Sequence, residues 1–81
     1  MAIQNPHPSV FAVDFPYAMR VDETDPNTVY QGFALPGALN ASAVWAIKRI
    51  SVSAGITTIE WADGNNTMDN VWNNRASLTY A

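Results

Sequence analysis

The 81-residue sequence predicts a mainly β fold: a small antiparallel sheet or compact sandwich of about five strands, with one short helical turn and an extended N-terminal arm. Three observations predict it. Apolar residues recur at every second position over a twelve-residue stretch near the N-terminus. A later run is dense in β-branched residues. Turn-forming pairs, Pro36-Gly37 and Asp63-Gly64 among them, divide the chain into segments of strand length. The length suits one domain, which we place at residues 11–81 behind an arm at residues 1–10.

The arm carries Pro6 and Pro8, which favour extended backbone around them. From Phe11 the odd positions read Phe11, Val13, Phe15, Tyr17, Met19 and Val21, the alternation of a half-buried strand. Pro16 has no N–H to give a ladder, so this strand belongs at an edge or breaks there. The run from Asp22 to Asn27 has turn chemistry. Val29–Leu35 reads as a second strand, stopped by Pro36-Gly37.

Ala43–Val52 tolerates a helix through its alanines, yet Val44, Ile47, Ile50 and Val52 tilt it towards strand. Ser53-Ala54-Gly55 forms a hairpin loop, in which Gly55 is free to take positive φ. Ile56–Trp61 is the clearest strand, closed by Asp63-Gly64-Asn65-Asn66. Met68, Val71 and Trp72 share one face of a helical turn that Asn66 or Thr67 caps. Ala76–Tyr80 reads as a last strand.

A chain this short builds a core worth only about 3–5 kcal/mol, and small proteins usually add a staple. Disulfides are excluded by the absence of cysteine, and one histidine without a thiolate makes a poor zinc site. Docking to a partner or to further copies is the staple left. Low charge (14%), 48% hydrophobic residues and three tryptophans suit a surface partly covered by neighbours, or simply a compact core. A net charge of −3, with only Lys48 and Arg49 adjacent among four cations, disfavours direct nucleic-acid binding. No window approaches the apolar length of a membrane span, and the N-terminus lacks signal-peptide features.

Catalysis finds little support. His7 lies in the arm, where nothing local would hold it as a base for a serine. Glu60, Asp63 and Asp69 are close in sequence, but their places suit a solvated strand face, a turn and a helix start. Residues 63–69 partly match a calcium loop, with the glycine too early and no distal glutamate. We therefore expect no enzyme activity, no cofactor and no metal. Trp45, Trp61 and Trp72 are candidate core residues with Ile47, Ile59 and Val71. The alternative use for a tryptophan is to stack on a sugar, which would make the chain a glycan-binding module. Arg75, a planar five-donor cation, suits pinning the Asp63 loop or a cluster of backbone carbonyls. An alternating apolar strand with Pro16 in it suits burial against another molecule, which makes Ile3, Phe11, Phe15 and Tyr17 the candidate partner-binding residues.

Four blocks follow in order from Tyr30 onward. They are Tyr30-Gln31-Gly32-Phe33-Ala34-Leu35-Pro36-Gly37, Val44-Trp45-Ala46-Ile47-Lys48-Arg49-Ile50, Trp61-Ala62-Asp63-Gly64-Asn65, and Val71-Trp72-Asn73-Asn74-Arg75-Ala76-Ser77-Leu78-Thr79-Tyr80. Together they resemble a family of small proteins encoded by tailed bacteriophages. Its shared pattern runs Y-x-G-x-A-x-P-G, V-W-x-I-K-x-I, W/F-A-D-G-N and V-W-x-x-R-A-S-L-x-Y. The stretch before Tyr30 matches less well. The resemblance implies a minor structural protein that joins or decorates head, neck or tail components, or, in the glycan alternative, a module of a fibre or tail. It implies residence in the virion after synthesis in the host bacterial cytoplasm. The implied partners are other phage structural proteins and copies of the chain itself. No catalytic motif comes with it.

Overall fold

The computed structural model describes residues 16–81, and these are mainly β. Strands β1 (Ala18–Asp25), β2 (Thr28–Ala34), β3 (Ala43–Ser53) and β4 (Ile56–Trp61) form an antiparallel meander in the order β1-β2-β3-β4. A two-residue strand, β5 (Asn70–Val71), pairs with the start of β3 at Ala43 and Trp45, beyond the stretch of β3 that β4 covers. A 3-10 helix, Trp72–Ser77, follows directly. The expected arm at residues 1–10 and the candidates Ile3, Phe11 and Phe15 lie outside the described residues.

Three elements differ from the sequence reading. The acidic run expected as a turn is still strand: β1 continues to Asp25, and the turn is only Pro26-Asn27. Between the pairs Asp22↔Tyr30 and Asp25↔Thr28, β1 spends two residues where β2 spends one, which is a bulge. Asp22 Oδ1 accepts the Thr24 N–H at 2.9 Å, and Asp25 Oδ1 accepts the Asn27 N–H at 2.8 Å. The turn-like composition therefore marks a bulge and an Asx turn in succession.

The expected helical turn over Met68–Trp72 is instead strand β5 at Val71, with the helix starting at Trp72. Three apolar residues at helical spacing are too few to fix a period, and pairing of Val71 with Ala43 decides the matter. The expected last strand shrinks to Thr79–Ala81 running beside the end of β4. Trp61 and Ala81 exchange both backbone hydrogen bonds at 3.0 Å, and Asp63 N–H donates to Thr79 O at 2.8 Å.

The register sorts side chains onto two faces. Gly32↔Ile47 and Tyr30↔Arg49 put these residues on the face that carries the core. Trp45 and Ile47 are fully buried there with Ala34 and Ala62, and Trp72 reaches over from the 3-10 helix to close the layer. Burying such large side chains contributes about 1.5–3 kcal/mol each. The Trp45 and Trp72 rings stand 5.9 Å apart at 44°, and Trp45 Nε1 donates to Leu39 O at 3.0 Å, so the buried indole is satisfied.

The expected core needs correcting at Ile59, which is 58% exposed. It pairs with Ile50 on the opposite face, one residue out of phase with Ala62 and Glu60. Trp61 lies on that opposite face as well and is only half-buried, as is Val71. Arg75 does not pin the Asp63 loop. Its Nε bonds Asp22 Oδ2 at 2.8 Å, one Nη donates to Trp72 O at 3.1 Å, and its guanidinium lies 4.5 Å from the Trp72 ring centre.

Candidate docking surface

The second face of the sheet has a composition that water alone does not explain. Each strand alternates, so the residues opposite the core are set by register: Met19 and Phe33, Val29 and Ile50, Ile59 and Val52, Lys48 and Trp61. A sheet with one wet face normally reads apolar-in and polar-out. Here β3 is apolar on both sides, with Trp45 and Ile47 on one and Val44, Ala46, Ile50 and Val52 on the other. Met19 (42%), Val21 (47%) and Val52 (47%) are exposed too, somewhat less than Ile59. Such a contiguous patch marks a surface built for contact.

At one end of this face lies an open cleft of about 400 Å3, lined by Tyr17, Phe33, Ala46, Trp61, Asn66 and Met68. The Phe33 and Trp61 rings are 6.3 Å apart and inclined at 43°. Lys48 Nζ stands 5.7 Å from both ring centres. It is the only charged residue that β2, β3 and β4 place on this face, and the two rings hold it by cation–π attraction. A second shallow cleft, lined by Leu35, Pro36, Ala38 and Val44, adjoins the first at Met68. Tyr17, a candidate from its alternating segment, thus sits on this surface. Lys48, named from the sequence only as half of the one adjacent pair of cations, lies over two rings.

Several charged and polar groups elsewhere are tied into the fold. Arg49 Nη2 bonds Glu60 Oε1 at 2.8 Å across β3 and β4, and its guanidinium lies over Tyr80 at 4.7 Å. Tyr80 donates its hydroxyl to Arg75 O at 2.7 Å, and burial, with Tyr30 beside it, pushes its phenol up to about 12. Hydrogen bonds from Thr24, then from Arg75, hold the Asp22 carboxyl down at about 2. Asp63 sits in a turn at φ 61°, and Asp69 accepts from Asn70 Nδ2 at 3.1 Å. In the loop that partly matches a calcium site, Asn65 uses its oxygen on Thr67 N–H and its amide on Asp63 O. Among the described residues no three His, Cys, Asp or Glu side chains cluster as metal ligands, and no helix is long and apolar enough to cross a membrane.

The sequence reading missed Met19, Val21, Phe33 and Val52 as one surface. The signal was there in β3, where both parities are apolar over the same residues. Compared with protein-family models, with curated proteins and with solved structures, the chain finds no match in any of the three.

Proposed function

We propose that this chain is a non-enzymatic structural protein that packs against other proteins inside a tailed-bacteriophage particle, joining or decorating larger head, neck or tail components. The observation that carries the packing role is the apolar second face of the sheet. Its side chains are open over three strands while the core face is already closed by Trp72 and the C-terminal segment. Covering that face returns roughly 25 cal/mol per Å2 of apolar area, the kind of gain a small domain lacks from its own core. The phage setting rests on the four sequence blocks from Tyr30 onward.

Mass spectrometry of purified particles tests the setting: the chain is expected among the virion proteins, and its absence from mature virions sinks the proposal. Ile59→Asp tests the surface. The side chain is exposed, so folding should survive while incorporation falls. Unchanged incorporation counts against a role for this face.

The cleft at Tyr17, Phe33 and Trp61 favours a second reading, a glycan-binding module, because Asn66 adds an amide beside the rings. The ring tilt and the ammonium of Lys48 over both rings leave a sugar no flat face without displacing a cation. Protein packing is the better account. Glycan-array binding by the chain, lost in folded Trp61→Ala, would reverse that order.

A further inference from the structure

The sheet has two unlike edges: β1 is blunted by a bulge and by Asp22, Glu23 and Asp25, whereas β4 has no bulge and one acid. Trp61 points its backbone N–H and C=O outward, to Ala81. In an antiparallel ladder the outward groups come at every second residue, so Ile59 and Thr57 point theirs outward too. Among the described residues they meet no backbone partner on that side. The C-terminal residues Thr79–Ala81 thus cover the last part of this edge, and no other described residue covers Ile56–Glu60. That stretch is Ile-Thr-Thr-Ile-Glu, a β-prone run with one charge and neither Pro nor Lys to guard it. Free edges of this kind accept another strand.

The side chains of the outward-pointing residues Thr57, Ile59 and Trp61 all lie on the apolar face. A strand added here would therefore lay alternate side chains along the apolar face. Residues 10–15, which lie outside the described residues, carry Phe11, Val13 and Phe15 at alternate positions, with Val10, Ala12 and Asp14 between them. They enter the described fold at Pro16, ahead of β1, and β1 is the opposite edge of the sheet. To lie outside the β4 edge of its own chain the segment must cross four strand spacings, about 19 Å, from the β1 side of the sheet. In a neighbour placed beside β1, the β4 edge is next to it.

We propose that residues 10–15 of one copy add as a strand to the β4 edge of a second copy, with Phe11, Val13 and Phe15 extending the apolar face beside Ile59 and Trp61. This rests on the packing role proposed above and names the partner as the chain itself. Donor and acceptor surfaces differ, so the contact is head-to-tail and generates a ring or a filament rather than a closed dimer.

The absence of cysteine makes the test clean. Full-length chain carrying Val13→Cys and Ile59→Cys is treated with a short thiol–thiol cross-linker and run on a denaturing gel. A ladder of dimers, trimers and larger species is expected. Cross-linking confined to single chains, or no cross-link at all, overturns the proposal. Ile59→Pro is the second variant: it removes an outward N–H and leaves the ladder to β3 its own bonds. It should keep the far-ultraviolet spectrum of the parent and lose its multimers in light scattering. A folded Ile59→Pro chain that multimerises like the parent overturns the proposal. If no cross-link forms while Ile59→Asp still blocks incorporation into particles, the packing role stands and this choice of partner falls.

Discussion

A Cβ built on Gly32 would stand 2.7 Å and 2.8 Å from two ring carbons of Trp72 and 3.1 Å from one of Trp45. Both indoles belong to the closed core, so neither gives way without opening it. Gly32→Ala should therefore destabilise the chain by about 1–3 kcal/mol, as overpacked cores do, even though alanine suits strand backbone better than glycine. Chemical denaturation reads the effect, and unchanged stability would show that Trp72 does not lie over β2 as described. Ala54 is the opposite case. It holds φ 51° next to Gly55 at φ 79°, a pair of positive values that a two-residue hairpin turn demands and that asparagine takes more readily than alanine. Ala54→Asn should raise stability by about 0.5–1 kcal/mol, and a lower melting temperature would contradict the turn geometry. Neither residue was legible beforehand. Gly32 stood inside a motif with no visible reason for its glycine, and the hairpin loop drew attention to Gly55 alone.

Strands announce themselves in this sequence wherever β-branched residues and turn pairs agree, as they do from Thr28 to Trp61. They are misread where side chains bond their own backbone. The Asp22–Asp25 run is rich in such residues, and only the pairing with Tyr30 and Thr28 shows it to be strand with a bulge. The bulge places Asp22 for Arg75, 53 residues further on, and so ties β1 to the 3-10 helix. No local pattern carries a pairing over that distance. Its pH dependence follows from the lowered carboxyl. Asp22 falls from the ordinary 3.8 to about 2 in the folded chain, through Thr24 first and Arg75 next. The contribution is thus fully present above about pH 4 and is lost as pH falls towards 2. Asp22→Asn should flatten that part of the acid-unfolding curve while leaving the neutral baseline folded. An acid limb identical to the parent would show that the ion pair contributes nothing to it.

At the scale of the whole molecule, one sheet carries two apolar faces, and the described residues supply a lid for only one of them. Trp72, Leu78 and Tyr80 close the first, and the C-terminal segment that carries them also seals the end of β4. The sequence showed the mainly β fold class and the core tryptophans Trp45 and Trp72, but not the order of the strands. It did not show which parity of each strand the lid would take, because a one-residue shift in register exchanges the faces and both read as apolar. That choice sent Ile59 outside.

A face left open on the single chain makes stability depend on concentration. If copies cover it, folded chain is drawn into assemblies and unfolded chain is not, so mass action stabilises the fold as protein is added. Raising the concentration a hundredfold above the dissociation constant contributes about 2.7 kcal/mol per interface. At about 4–8 °C per kcal/mol for a domain of this size, the melting temperature should climb by roughly 10–20 °C across that range. Ile59→Asp, with a carboxylate on the open face, should melt at the dilute value throughout. A parent chain whose melting temperature ignores concentration, and which scatters as a monomer at every step, would place the cover of this face on a different protein.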